Sequence, residues 1–169
     1  QYGNYSNTSQ AAHHEFLGKI MHEEYPHKIF EVGVQNAYSN HFHFGGVATH
    51  LSEKWRKSWD TALRVRPDSI VMTNFFDHYE NSLIQPCYER EDFLLRYAEV
   101  RLAQWRREDF PKEKTPELVV TNYTTILLGS QKLDFEVIGF PIDSEQKNVM
   151  LNLDVCDTSG KVLYTGIER

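Results

Sequence analysis

No stretch of this chain is apolar enough to cross a membrane, because its hydrophobic runs stop far short of the about 18 residues that a spanning helix needs. Basic residues are in deficit as well. Lys and Arg number 18 against 24 Asp and Glu, a formal net charge of −6, and no basic stripe stands ready to neutralise phosphates. A nucleic-acid partner is therefore not expected. Cysteine is nearly missing: Cys87 and Cys156 lie far apart in sequence, which makes neither a disulfide framework nor a metal-site spacing. No signal-peptide pattern opens the residues given, which begin at Gln1 and not at an initiator Met. The expectation is a piece processed or excised from something longer. Internal repeats and low-complexity tracts are absent too.

What remains is the composition of an ordinary globular protein, 169 residues long, enough for one domain with a real core or for one domain and part of a second. Aromatic residues make up 13% of it and gather near the ends of apparent strands, an enrichment that fits stacking against sugars as well as packing. Three Asn-x-Ser/Thr sequons, at Asn4, Asn7 and Asn122, are compatible with secretion, and the compartment stays open.

Taken in order, a polar start leads at Thr8 or Ser9 into a helix. From Ala11 to Tyr25 it carries Phe16, Leu17, Ile20 and Met21 on one stripe, and Pro26 ends it. Ile29 to Gln35 alternates as a strand. Leu51, Trp55, Trp59 and Leu63 step by four, which predicts a helix from Leu51 to Val65 with an aromatic stripe toward the core. Ile70 to Phe76 is a short β-branched and aromatic run that reads as a strand buried on both faces, and Glu91 to Arg107 reads as a third helix with Phe93, Leu94, Tyr97, Val100 and Trp105 broadly on one side. Strands alternating with helices imply βα units and a parallel sheet. Two such strands cannot cover these elements on both faces, so the segment reads as part of a larger barrel or sheet.

At 108–116 the composition turns charged and proline-punctuated, Asp-Phe-Pro-Lys-Glu-Lys-Thr-Pro, which predicts a linker. Beyond it, short strand-like runs are separated by turn signals at Gly129-Ser130, Ile142 to Ser144 and Asp157 to Gly160. That cadence predicts part of an antiparallel β-sandwich over 117–169.

The chemistry is concentrated after Ile70. Asp77 and Glu80 follow the strand at its carboxyl end, where parallel sheets bind their ligands, and two carboxylates there point to acid/base work. Cleaving a glycosidic bond takes one carboxylic acid to protonate the leaving oxygen and one carboxylate to activate a nucleophile or stabilise positive charge. A loop walled by Phe75, Phe76 and Tyr79 would keep the acid protonated at neutral pH by desolvation. Gln35, Asn36, Tyr38 and His41 sit at the carboxyl end of the other strand and are candidate sugar contacts, with His78 and Tyr79 beside the acids. Glu31, at the opposite end, is expected to face solvent or an ion partner. His41 and His43 lack a third ligand at a recognised spacing, so no metal site is expected.

The succession Trp59, Ala62, Pro67-Asp68, an apolar strand, Thr73-Asn-Phe-Phe-Asp-His-Tyr-Glu80, then Ile84 and Pro86 resembles the end of the (β/α)8 barrel in family 71 α-1,3-glucanases. It is similar as well to the family 99 endo-α-mannosidases, whose corresponding strand ends in Glu-x-x-Glu with the same Ile-x-Pro. The resemblance covers about Gly45 to Trp105. It implies that Glu80 is the acid/base carboxylate and that Asp77 is its partner, acting on the neighbouring sugar hydroxyl. The chain departs from the pattern at Phe76, where those families carry Asn, and at Gln85, where family 99 carries an acid.

The expectation is thus an α/β chain. Residues 1–107 form the last βα units of a TIM-like (β/α)8 glycosidase-like domain, 108–116 a linker, and 117–169 a β-sandwich accessory segment. The remainder of the barrel lies in another chain or segment. Its function is hydrolysis of a glycan, an α-linked glucan or mannan by resemblance, without metal or organic cofactor. The alternatives are a catalytically inactive carbohydrate-binding or structural protein on the same scaffold, and a self-standing α+β interaction domain.

Overall fold

The computed structural model describes residues 8–37, 52–77, 82–86, 91–109, 118–122, 135–140 and 151–168. The chain divides into two compact units. One comprises Gln1–Phe110 and Val119–Ile138, the other Pro111–Leu118 and Gly139–Arg169.

In the first unit the elements are α1 (Thr8–Glu24), β1 (Glu31–Gln35), α2 (Glu53–Val65), β2 (Ser69–Thr73) and α3 (Phe93–Arg106), in that order. β1 and β2 pair in parallel, from Glu31 opposite Ser69 to Gln35 opposite Thr73. Parallel neighbours need a crossover between them, and α2 supplies it, packing against β1. Val32 and Val34, alternate residues on one strand face, are completely buried while Glu31 is exposed. The opposite alternation would turn Glu31 inward and strand its charge.

α2 holds the core. Trp55 and Trp59 are fully buried with their rings edge to face at 5.6 Å, the arrangement that the ring quadrupole favours. Each indole removes roughly 200 Å² from water, worth about 5 kcal/mol before ordering entropy. Their indole N–H groups have no hydrogen-bond partner among the described residues, which offsets about 1–3 kcal/mol of that gain apiece. The buried face is wider than an apolar stripe. Lys54, Ser58 and Thr61 are buried on it beside Ala62 and Val65. The helix stops where Arg66 turns into the left-handed region at φ 48°, its N–H closing on the Ala62 carbonyl at 3.2 Å. Pro67 follows and cannot continue a helix.

Asp68 explains why a Pro-Asp pair opens β2. Its carboxylate Oδ2 accepts the Phe30 N–H at 2.9 Å, and its own N–H donates to the Phe30 carbonyl at 2.8 Å. The two strands are thereby clamped at their amino ends. The Trp105 indole N–H donates to the Pro67 carbonyl at 3.0 Å, tying α3 to the same corner.

Two details differ from the sequence expectation. Phe16 is 61% exposed, and α1 meets α2 through Gly18, where an added Cβ would lie 3.1 Å from Val65 Cβ. A small residue permits that close approach, so Gly18 is the buried residue of the face, with Leu17, Ile20 and Met21 half-buried and Phe16 left outside it. β2 is not buried on both faces: Val71 and Met72 are 41% and 37% exposed. Among the described residues β2 has a strand neighbour, β1, on one edge alone.

β3 (Leu118–Asn122) and β4 (Phe135–Gly139) form a second two-stranded sheet. Glu136 of β4 reaches α2, where its carboxylate accepts from Arg56 and from the Ser52 hydroxyl. In the second unit, β5 (Leu151–Cys156) and β6 (Val162–Glu168) make an antiparallel hairpin with a bulge at Val155/Cys156. Its turn is built on Asp157. The Ser159 hydroxyl, together with the backbone N–H groups of Lys161 and Ser159, holds that carboxyl below the usual carboxylate range. Gly160 takes the positive φ, 84°, that the turn requires. Among the described residues no helix is long and apolar enough to cross a membrane.

Candidate functional site

The parallel register brings two chain segments to one end of the sheet. Gln35 is the last residue of β1 and stands opposite Thr73, the last of β2, so Asn36 and Asn74 both leave the sheet at its carboxyl end. α2 runs back along β1. Ser58 meets Gln35 at the carboxyl end, and Val65 shares the Gly18 contact with Phe30 at the amino end. The start of α2, with Lys54, therefore lies at the carboxyl end too.

Gln35 is 3% exposed. Its N–H donates to Ser58 Oγ at 3.3 Å, and that hydroxyl donates to the Trp55 carbonyl at 2.8 Å, so the strand end is pinned to α2. Its side-chain Nε2 has no partner among the described residues. Asn36, 4% exposed, donates from Nδ2 to the Leu83 carbonyl at 2.8 Å, while its Oδ1 has no partner among them. A buried polar atom left without a hydrogen bond costs about 1–3 kcal/mol. Two adjacent side chains present one such donor and one such acceptor.

After β2 the chain folds back on itself. The Asn74 N–H donates to the Ser82 carbonyl at 3.2 Å, the Ile84 N–H to the Asn74 carbonyl at 2.9 Å, the Gln85 N–H to the Phe75 carbonyl at 2.8 Å, and the Ser82 N–H to the Asp77 carbonyl at 3.1 Å. The peptide bond between Thr73 and Asn74 is cis. Leu83 and Ile84 are buried and anchor the returning limb. That anchoring is the physical role of Ile84 in the Ile-x-Pro pattern, whereas Pro86 is exposed.

Asp77 is half-buried on the outgoing limb, and its Oδ2 accepts from Asn74 Nδ2 at 3.2 Å. The same Nδ2 faces Ser82 Oγ at 3.4 Å, and Ser82 is fully buried. Phe75 and Phe76, two of the three residues expected to wall the acids, are 51% and 71% exposed, with their rings edge to face at 6.4 Å. Glu31 lies at the amino end, exposed, and accepts from the Ser69 hydroxyl at 3.0 Å.

Lys54 adds a cation to this end of the sheet. Burial pushes its ammonium down to about 8, because charge is costly to hold away from water. Of the residues singled out by sequence, Gln35, Asn36 and Asp77 are thus gathered at one end of the sheet. Glu80, Tyr38, His41, His43, His78 and Tyr79 lie outside the described residues.

Sequence reasoning missed Asn74, Ser82, Ser58 and Lys54. Asn74 follows directly on an apolar strand, a position from which an amide can bond loop backbone, and that was the available signal. Ser58 and Lys54 carry none, since periodicity counts apolar residues alone. Comparison with known proteins finds no matching family model, no matching curated protein and no matching solved structure.

Proposed function

We propose that this chain carries part of a glycan-hydrolysing site, located at the carboxyl ends of β1 and β2, with Asp77 and Glu80 as its two carboxylates. In this reading β1, α2, β2 and α3 are two βα units of a (β/α)8-type barrel, the exposed face of β2 is covered by further barrel strands, and 117–169 is an accessory β-sandwich segment whose first part, 119–138, belongs to the same compact unit as the βα elements. The substrate is an α-linked glucan or mannan. The single observation that carries the reading is the convergence of Gln35, Asn36 and Asp77 at one end of a parallel pair. Parallel α/β sheets work at that end.

The chemistry follows from the residue types. A sugar hydroxyl both donates and accepts, so one ligand class would suit both Gln35 Nε2 and Asn36 Oδ1, which have no partner among the described residues. The Asp77 carboxylate, held by an amide donor, serves to accept a proton from a neighbouring sugar hydroxyl. Glu80 serves as the acid that protonates the leaving oxygen and the base that then activates water.

The test is release of reducing ends by the protein in its full native length from α-1,3-glucan, α-mannan and a set of β-linked glucans, beside Asp77→Asn and Glu80→Gln. Losses of about a hundredfold or more in both variants support the reading, since a positioned acid/base contributes at least about that much. Activity unchanged in either variant overturns it.

A second reading is favoured by Phe75 and Phe76, which stand exposed beside Asp77 and offer ring faces on which a sugar can stack. It is a carbohydrate-binding protein without hydrolysis. Binding of these glycans that weakens in Phe76→Ala, with no reducing ends released by the unaltered protein, selects it.

A further inference from the structure

We propose that Asn74 is the positioning residue of the Asp77 carboxylate, an inference that rests on the reading of Asp77 as one of the two reacting acids. The carboxamide of Asn74 has two N–H hydrogens, and there is one acceptor for each: Asp77 Oδ2 at 3.2 Å and Ser82 Oγ at 3.4 Å. Ser82 is fully buried, so water does not compete for that second hydrogen, and the hydroxyl fixes the plane of the amide. The backbone of Asn74 is pinned as well, its N–H by the Ser82 carbonyl at 3.2 Å and its carbonyl by the Ile84 N–H at 2.9 Å. An amide fixed at both ends then aims its remaining hydrogen at a carboxylate that sits in a loop.

That contact is not needed to close the loop. The Ser82, Ile84 and Gln85 N–H groups already join the two limbs through backbone alone. The side-chain bond to Asp77 is additional, and what it adds is the choice of one carboxylate orientation. A hydrogen bond to a charged acceptor is about twice as strong as a neutral one, enough to favour one rotamer of a half-exposed Asp. Reacting groups lose on the order of a hundredfold in rate for a misplacement of about 1 Å. Asn suits the position because it offers two donors, whereas the isosteric Asp offers none when ionised and places a like charge against Asp77.

The experiment compares the full-length protein with Asn74→Ala, Asn74→Asp and Ser82→Ala on α-1,3-glucan and α-mannan, reading kcat, KM and melting temperature. Asn74→Asp and Asn74→Ala are expected to lower kcat by about 10- to 100-fold with KM within about threefold and little change in melting. Ser82→Ala is expected to lower kcat by a smaller factor. An Asn74→Asp protein of unaltered kcat overturns the proposal, because size is kept while both donors are lost and a like charge is set against Asp77. A readout free of turnover accompanies it: the two Asn74 side-chain amide proton resonances in the unaltered protein and in Asp77→Ala. One is expected to move upfield on loss of the carboxylate while the Ser82-bonded one stays, and a pair that does not respond overturns the proposal. If the unaltered protein cleaves neither glycan, the hydrolytic reading fails and the resonance comparison alone decides the role of Asn74.

Discussion

Gln35 and Thr73 occupy the last position of the parallel β1–β2 register, and everything proposed about the site depends on that alignment. A one-residue slip would turn Val32 and Val34 away from α2. It would also separate the Asn36 side chain from the Leu83 carbonyl that it now meets at 2.8 Å. The register is set at the other end by Asp68, which clamps Phe30, and in the middle by the two buried valines. The site is therefore held by core packing as well as by its own hydrogen bonds.

Lys54→Met is expected to stabilise the protein at neutral pH. The folded-state pKa of Lys54 is lowered to about 8, below its unfolded value of about 10.4. Between those values the unfolded chain binds more protons, so the burial penalty is complete below about pH 8 and fades as the pH rises toward the unfolded value. The Met variant should gain on the order of 1–2 kcal/mol at pH 7, after allowing for relaxation and partial solvation of the ammonium. Urea denaturation at pH 7 and pH 10 checks this, with the gain shrinking at the higher pH.

Arg56 and Glu136 are expected to be coupled. The pair joins α2 to β4 and includes the Ser52 hydroxyl, but it is partly exposed, which limits its worth to roughly 0.5–1 kcal/mol. A double-mutant cycle with Arg56→Ala and Glu136→Ala should return an interaction energy of that size, falling in high salt. Additive single losses would remove the link from the account.

Gly18→Ala should destabilise despite the better helix propensity of alanine, which is worth about 1 kcal/mol. The new methyl meets Val65 Cβ at 3.1 Å and Phe30 Cε1 at 3.3 Å, and overpacking costs about 1–3 kcal/mol. In a Val65→Gly background, which removes the Cβ that the new methyl meets, the penalty should shrink, as chemical denaturation of the four proteins will report.

Much of the first unit is legible in the sequence because its signals are local. The step of four from Trp55 to Trp59 predicts α2, and alternation predicts β1. β2 ends earlier than the apolar run, at Thr73, because Asn74 turns its backbone to Ser82 and Ile84 instead of continuing the ladder. Phe75 and Phe76 are consequently loop residues in solvent, though their composition reads as strand. The buried polar face of α2 escapes the sequence for a different reason. The Ser58 and Thr61 hydroxyls donate to the Trp55 and Lys57 carbonyls of their own helix, and such bonds let polar residues sit on a buried face where apolar periodicity does not count them. At the site, Gln35 and Asn36 are legible because they end a strand, whereas the Asn74, Asp77 and Ser82 cluster exists only once the chain has folded back.

The most direct test of the central claim is hydrogen exchange of the full-length Glu80→Gln protein with and without an α-1,3-glucan or α-mannan oligosaccharide. The account predicts added protection at Gln35 and Asn36 and along 74–77 and 82–85, at the carboxyl end of the parallel pair. Protection absent from those residues with both sugars, or confined to the β5–β6 hairpin, would contradict it.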